Sequence, residues 1–366
     1  MLIQNNSPAI GKVPGLICQR YDGLNSLPRS YNELFESGRQ QSFDLDRDWF
    51  SHFANTALEE KDRVLIYGVE SEPAGDPIAL LLLKFSEDSK VLTSLSNYYS
   101  SLFYPLLKAD EVGSLIYLLK TLKSAPERWS ALRLFPIPNE RPVYQQTLNA
   151  LTSSGWKSFQ YFCFGNWYLP VAGRSFDVYW QGLSSKLRNT VTRKRKKFLA
   201  GGGRVEIVSG GPAIEQSIEA YQKVYHASWK KPEPFPGFIP GLIGQFAAKG
   251  NLRLGLAWLE NEPVAAQIWL ICGDRASIYK LAYDEKHAKL SAGSILTAHL
   301  MRHVIDVDQV QEVDYLSGDD EYKQQWMSHR RERWGVIAYN PATVPGFLGM
   351  CGQYFRRSIK RLLGKR

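Results

Sequence analysis

One succession of predicted secondary-structure elements occurs twice along this chain. Hydrophobic patterning predicts three strands, a helix, a strand, a helix and a final strand over about 63–169, and the same order recurs roughly 180–190 residues later. Apolar and β-branched runs at 63–70 and 77–85 flank a turn-forming segment, which predicts a hairpin. The runs 252–260 and 263–272 predict a second hairpin. Duplication of one α/β unit explains this order, and coincidence between two ordinary α/β halves is the alternative.

A length of 366 residues also suits two domains. We expect an N-terminal domain at 1–170, a C-terminal domain at 171–345 and a basic amphipathic tail at 346–366. The second half opens with a helix that we predict as one element over about 176–199. The glycine run at 201–203 is expected to end this helix as a turn, with a phosphate-binding loop as the alternative.

The positive charge of the chain is concentrated in two short segments. Lys and Arg number 45 against 36 Asp and Glu, a net charge of +9. Residues 186–197 hold seven basic residues, and 356–366 hold six, with no acid in either segment. Thirteen positive charges in these segments, against a net +9, leave −4 for the rest of the chain. A uniformly basic nucleic-acid-binding coat is therefore not expected.

Several features predict a cytoplasmic protein. The N-terminus lacks the charged start and apolar run of a secretion signal, and no apolar run approaches the length of a membrane-spanning helix. The four cysteines are far apart and form no CxxC pair, which disfavours a disulfide framework or a zinc site. In the tail, apolar residues lie on one side of a projected helix and basic residues on the other. This pattern indicates either contact with the inner membrane surface or docking on the protein itself.

The segment from 276 to 305 is predicted as a strand, a charged loop and a helix. The strand ends at Tyr283, and the helix opens near Gly293. The start of a helix offers free N–H groups and a positive dipole end, which bind phosphate, and glycine lets a ligand approach the backbone. An ordinary capped helix after a surface loop is the alternative. Lys286, Lys289, Ser291 and Ser294 complete this candidate anion site.

Two stretches in this region resemble a known family. YKLAYDEKHAKLSAGSILTAHLMRHVI (279–305) and VDYLSGDDEYKQQW (313–326) are similar to the CelD-type branch of the GNAT acyltransferase superfamily, which is related to the Fem-type aminoacyltransferases. The family pattern has a strand ending near Tyr-Asp, a Ser-Pro-Gly-like turn and a Gly-x-x-x-Tyr-Lys segment; Ala292 stands where proline is usual. The resemblance extends over about 176–340 and includes SSKLRNTVTRKRKK and Ser-Trp-Lys at 228–230.

The resemblance implies an α/β fold of two tandem GNAT-like lobes, with mixed, mostly antiparallel sheets flanked by helices. The first lobe is expected to be degenerate and the second to be catalytic. Acetyl-CoA or another acyl-CoA would be the acyl donor, with its pantetheine between splayed strands and its pyrophosphate at the helix start. The acceptor would enter between the lobes. The expected donor-binding residues are Lys289, Ser291, Gly293, Ser294 and Ile295.

Acyl transfer from a thioester requires a nucleophile that loses its proton and donors for the developing oxyanion. Asp319 is a candidate base, because neighbouring carboxylates can raise its pKa. Lys323 can anchor an anionic acceptor or thiolate, and Tyr283 can protonate the departing thiolate. Each also has an ordinary interpretation: an acidic first helical turn, a solvated helix lysine and an aromatic strand residue. The sequence alone selects no single base.

Candidates for binding the acceptor lie on three elements. Trp229 and Lys230 precede a proline-rich loop at 231–241, which lines a cleft or packs between lobes. Arg188 lies on the basic helix, and Tyr322 on the helix after the fifth strand. His299 and His303 have the spacing of metal ligands, but the glutamate of HExxH is lacking and no metal is expected.

The leading functional hypothesis is an acyl-CoA-dependent acyltransferase, most simply an N-acyltransferase, acting on an amine or sugar-linked acceptor in envelope or exopolysaccharide biosynthesis. A second is an aminoacyl-tRNA-dependent transferase of Fem type, the one case in which a nucleic-acid partner is expected. A third is a non-catalytic, membrane-associated adaptor.

Overall fold

The computed structural model describes residues 12–13, 15–73, 75–109 and 111–362. The chain divides into two compact units. The first unit extends to Phe164 and resumes at Glu332, and the second comprises Gly165–Arg331. No helix within the described ranges is both long and apolar enough to cross a membrane.

Among its described residues, the first unit contains a sheet and four α-helices that precede the second unit in the chain. Its strands are β1 (Lys12–Val13), β2 (Leu16–Tyr21), β3 (Asp62–Ser71), β4 (Asp76–Ser86), β5 (Val91–Ser94), β6 (Leu106–Leu107) and β7 (Ala131–Pro138). Its helices are α1 (Asn32–Gln41), α2 (Arg47–Thr56), α3 (Val112–Lys123) and α4 (Pro142–Ser153). Strands β2 to β5 pair antiparallel in chain order, and β5 pairs parallel with β7.

The second unit repeats this order. After β8 (Lys157–Pro170), it contains α5 (Phe176–Gly182), α6 (Ser185–Ala200), β9 (Gly203–Val208), α7 (Ile214–His226), α8 (Phe238–Ala248), β10 (Leu252–Leu259), β11 (Glu262–Cys272), β12 (Arg275–Tyr283), α9 (Ala292–Asp306), β13 (Glu312–Asp314) and α10 (Glu321–Trp326). Strands β9 to β12 pair antiparallel, and β12 pairs parallel with β13. The chain continues into β14 (His329–Tyr339) and α11 (Val344–Leu362).

The last strand of each repeat completes the sheet of the other unit. Strand β8 follows α4, yet its residues 168–170 pair with 312–314 of β13 in the second unit. Strand β14 follows α10, yet its residues 333–339 pair with 131–138 of β7 in the first unit. The predicted domain limits at 170 and 345 lie after these two strands, whereas the units divide within them, because the ladder partners belong to the other repeat.

The predicted fold class is confirmed: each unit has a mixed, mostly antiparallel sheet flanked by helices. Both predicted hairpins form, as β3–β4 and β10–β11. The single helix predicted over 176–199 is wrong, because the chain breaks between α5 and α6. Leu183 is extended there, and the Ser184 side chain caps α6 by accepting the N–H of Leu187.

Helix α9 is held tightly against the sheet of the second unit. Gly255 of β10 permits this approach, since a Cβ at that position would lie 2.6 Å from Leu300 Cδ1 and 2.9 Å from Leu296 Cδ1. Helix α6 packs on α9 in turn, through buried Leu187, Val191 and Phe198 in the same core. This packing fixes the start of α9 relative to the end of β12.

Candidate functional site

Strands β12 and β13 separate soon after they pair. Strand β12 bonds β13 only through Arg275–Ser277. After Asp314 the chain instead follows β8: the Tyr315 N–H donates to the Trp167 carbonyl at 2.9 Å, and the Gly318 N–H to the Gly165 carbonyl at 3.0 Å. An opening therefore lies between the second half of β12 and the 315–318 segment.

A β-bulge lies in β12 at the edge of this opening. The register places Ile268 opposite Lys280 but Trp269 opposite Ile278, so Tyr279 is the extra residue. A bulged residue leaves the hydrogen-bond ladder and bends its strand, and bulges recur beside active sites. The bulge is not predictable from the sequence, because it depends on cross-strand register.

The start of α9 is adjacent to the end of β12. A Cβ built on Gly293 would meet only the Tyr283 ring, at 3.7 Å, so the space before the helix is open. Ser291 is left-handed (φ 58°, ψ 33°), and no side chain caps the helix. The first-turn N–H groups consequently point to unfilled space, as an anion site requires.

The lysines of the candidate anion site and Ile295 differ in what they offer a ligand. Lys286 and Lys289 are exposed on the loop, and the Lys194 ammonium of α6 donates to the Lys289 carbonyl at 2.5 Å, which ties the basic helix to this loop. Ile295 differs: its side chain is buried and its N–H bonds the Ser291 carbonyl at 3.1 Å. Ile295 therefore offers no group to a ligand.

A buried hydrogen-bond network connects α9, β11 and α10. The Gln267 amide donates to the Gly293 carbonyl at 2.9 Å and to Thr297 Oγ1 at 2.8 Å, and Thr297 bonds the Tyr322 hydroxyl at 2.9 Å. Burial raises the pKa of Tyr322, so its phenol stays protonated. Tyr322, predicted to bind the acceptor, is occupied in this network and positions α10. Gln267 was missed, although a glutamine within an apolar strand is an available signal.

Asp319 has the wrong environment for a general base. Both of its carboxylate oxygens accept from Arg330, at 2.8 Å and 2.6 Å. The hydrogen bond from Arg330 lowers the pKa of Asp319. The adjacent acids do not raise the pKa of Asp319 above its usual value, because Arg330, eleven residues later in the sequence, supplies the compensating positive charge.

Lys323 packs into its own turn. Its ammonium donates to the Ser317 carbonyl, lies 3.6 Å from Asp320 Oδ2 and sits 5.7 Å from the centre of the Tyr315 ring. Burial lowers the pKa of Lys323. Arg188 is engaged elsewhere: it donates to Gln181 and ties α6 to α5.

Trp229 and Lys230 lie beside Tyr283. The Trp229 and Tyr283 ring centres are 4.6 Å apart, and the Lys230 ammonium lies 5.8 Å from the Trp229 ring centre. Burial, followed by the positive charge of Lys280, lowers the pKa of Lys230 to about 8. Lys280 itself bonds Glu233 at 2.8 Å. An amine with this pKa is partly neutral near neutral pH and can accept a proton.

The first unit lacks an equivalent opening among its described residues. In this unit the hydroxyls of Ser94 and Ser96 donate to the Phe135 carbonyl, and the Phe103 N–H donates to the Pro136 carbonyl at 2.7 Å. The segment after β5 thus fills the space beside β7. Glu111 stands at the N-cap of α3, where a carboxylate repels phosphate. These residues do not fit an acyl-CoA donor.

In the part of the chain that the structure describes, no group of three His, Cys, Asp or Glu residues is arranged to hold a metal ion.

Comparison with known proteins assigns this architecture. Residues 185–324, which include the β12–α9 loop, the opening and most of α10, match the family model of the acetyltransferase (GNAT) domain. The second unit therefore has the fold of a GNAT domain. No curated protein matches the chain in sequence.

Solved structures give the same fold over most of the chain. FemX is 11% identical, with a TM-score of 0.55 over 74% of this chain and 87% of that one. A tandem GNAT protein from the clavulanic acid biosynthesis pathway is 8% identical, with a TM-score of 0.50 over 87% and 98%. L-PGS from Bacillus licheniformis is 14% identical, with a TM-score of 0.50 over 87% and 93%. The tandem protein fits two GNAT lobes in this chain. At these identities the likeness concerns the fold alone.

Proposed function

We propose that this protein transfers an acyl group from acyl-CoA to an amine or sugar-linked acceptor, at a site in its second unit. The observation that carries the proposal is the opening between β12 and the 315–318 segment, next to an uncapped helix start. The matched GNAT domain covers the same residues. The CelD-type resemblance of 279–326 supports an acceptor from envelope or exopolysaccharide synthesis.

The residues of the opening fit the parts of an acyl-CoA donor. Pantetheine can extend along β12 beyond Ser277, where the pairing with β13 ends, and its two amides can bond the backbone there. The first turn of α9, at Gly293 and Ser294, offers N–H groups to the pyrophosphate, and the exposed lysines of the preceding loop add positive charge. The donor supplies the activated thioester.

The chain's own groups account for the proton movements. The acceptor nitrogen attacks the acyl carbon, the carbon–sulfur bond breaks, and the Lys230 amine takes the proton that the nitrogen loses. The Tyr283 hydroxyl protonates the departing thiolate. Tyr283 is suited to this because it lies between the helix start and Trp229.

Replacing Gly293 with valine is expected to weaken acyl-CoA binding about 10–100-fold, because a side chain there blocks at least one charge-assisted N–H bond to phosphate. Isothermal titration with acetyl-CoA and longer acyl-CoAs measures the effect. Gly244→Val is the matched control, since Gly244 also lies in a helix of this unit with open space around it. A folded wild-type protein that binds no acyl-CoA would refute the proposed donor.

Transfer from an aminoacyl-tRNA is the second candidate function. Helix α6 favours it, because Arg193, Arg195, Lys196 and Lys197 are exposed on a helix that contacts the donor loop through Lys194. Binding of charged tRNA with a steep salt dependence would support this function over acyl-CoA transfer, and affinity that is flat in salt would exclude it. A protein that binds neither donor leaves the third hypothesis, a non-catalytic adaptor.

A further inference from the structure

Helix α11 is seated on the first unit by its small residues. A Cβ at Gly346 would lie 2.1 Å from the Asn340 carbonyl oxygen, and one at Gly349 would lie 2.4 Å from Tyr339 Cε1. Both glycines thus let the helix approach the unit more closely than any residue with a side chain would allow. The helix is therefore fixed in rotation, with its glycine side against the unit.

This rotation turns the apolar side of α11 outward. Large hydrophobic side chains on that side are exposed: Val344 by 74%, Phe347 by 50%, Leu348 by 63%, Phe355 by 69% and Ile359 by 37%. At 100° per residue Leu348, Phe355 and Ile359 fall on one stripe, opposite Gly346 and Gly349. An apolar stripe of this length indicates that something covers it.

The charge of the same segment indicates which kind of partner covers the apolar stripe. No Asp or Glu occurs after Glu332, and Arg356, Arg357, Lys360, Arg361, Lys365 and Arg366 are all basic. Of these, Lys365 and Arg366 lie outside the described residues. A second copy of the chain would bring an equal positive charge against this one, which opposes self-association. An anionic bilayer satisfies both the apolar stripe and the cations.

A cavity of about 390 Å³ beside α11 adds a site for a headgroup. Arg133, Arg356 and Arg357 line it, and within the described ranges none of them pairs with a carboxylate. The Arg133 guanidinium is oriented by the Tyr161 hydroxyl at 2.9 Å, and that of Arg357 by the Gln160 carbonyl at 3.1 Å. Unpaired guanidinium groups held at one cavity suit a phosphate.

We propose that α11 and this arginine cavity bind the surface of an anionic lipid bilayer. The apolar stripe enters the boundary between headgroups and acyl chains, which brings the opposite side of the helix to the level of the lipid phosphates. The arginine cavity lies on that side. The proposal concerns the first unit and is independent of the acyl-transfer site.

Vesicle flotation of the full chain tests the proposal, with phosphatidylcholine vesicles alone and with added phosphatidylglycerol. We expect binding only to the anionic vesicles, weakened by salt. Arg356→Gln with Arg357→Gln should weaken binding about 25-fold, from roughly fivefold for each charge near the surface. Leu348→Ser with Phe355→Ser should abolish it, and both side chains are exposed enough to be replaced without loss of the fold.

Val178→Ser with Val307→Ser is the matched control, since these valines are 58% and 66% exposed in the second unit. This variant should bind vesicles like the wild type. Equal binding by the Leu348 and Phe355 variant, or no wild-type binding to anionic vesicles, overturns the proposal. So does a wild-type dimer that becomes monomeric in that variant, because a second copy would then cover the stripe.

Discussion

Replacement of Lys230 with methionine is expected to lower kcat/KM for acyl transfer about 10²–10⁴-fold, the usual contribution of a general base. Lys230 is a partly buried amine beside Trp229 and Tyr283, and its pKa is lowered to about 8. Methionine keeps the length of the side chain and its contact with the rings but accepts no proton. Release of free thiol from acyl-CoA measures the rate.

The pH dependence of kcat/KM tests whether Lys230 is the base. Only the neutral amine accepts a proton, so kcat/KM should rise with pH and level off above about 8. The charge of Lys280 lowers the pKa of Lys230 and that of Glu233 raises it. Lys280→Met should therefore move the rising limb to higher pH, and Glu233→Gln should move it to lower pH. A profile that neither variant shifts would mean that another group takes the proton.

The stability of Lys230→Met shows whether its loss of activity comes from the missing base or from misfolding. The folded-state pKa of Lys230 is lowered, so between about pH 8 and roughly 10.4 the unfolded chain binds more protons than the folded one. The charged amine thus opposes folding below about pH 8, and this penalty disappears as the pH rises. Lys230→Met should be at least as stable as the wild type at neutral pH. A variant that unfolds more readily would assign Lys230 a structural role instead.

Features set by local sequence were predictable in this chain. The hairpin β10–β11 follows from two apolar runs around a tight turn, and the start of α9 from a glycine after a charged loop. Short motifs likewise direct attention to the charged loop and to the Trp229–Lys230 pair, whose functions stay predictions. In each case neighbouring residues fix the conformation or the chemistry.

Features set by distant partners were not predictable. Asp319 is adjacent to other acids in the sequence, but Arg330 determines its charge state. The exchange of β8 and β14 between units depends on which ladder each strand joins, and hydrophobic patterning does not encode that choice. The break at Ser184 is a local signal of a different kind, an N-cap residue masked by apolar periodicity on both sides.

Replacement of Arg331 with methionine is expected to lower the free energy of unfolding by about 3–5 kcal/mol, because it leaves the buried Asp314 carboxylate without its counter-charge. The Arg331 Nη2 donates to Asp314 at 2.6 Å and to Glu312 at 2.7 Å, and its Nε donates to Asn166 at 2.6 Å. At about 2–4 °C per kcal/mol, the loss corresponds to a fall in Tm of about 6–20 °C. Thermal unfolding followed by circular dichroism measures it.

The adjacent residue provides the matched control. Arg330 also bonds a carboxylate, that of Asp319, through two N–H groups, but the two side chains are 33% and 44% exposed. Arg330→Met should cost only about 0–1 kcal/mol. Because Arg330 lowers the pKa of Asp319, this contribution is present above the ordinary pKa of an aspartate and is lost as the pH falls through the lowered value. Equal losses in the two variants would show that burial does not set the size of the effect.

A double variant distinguishes the free-energy cost of the unpaired Asp314 charge from that of the hydrogen bonds lost with Arg331. Asp314 is only 3% exposed, and one of its oxygens also accepts the Leu316 N–H at 2.7 Å, within the segment that borders the opening. Adding Asp314→Asn to Arg331→Met removes the unpaired charge but keeps an oxygen acceptor. The double variant should therefore be more stable than Arg331→Met alone. If it is no more stable, the loss comes from the hydrogen bonds and packing of the arginine. Packing rather than charge then stabilises the segment that borders the opening.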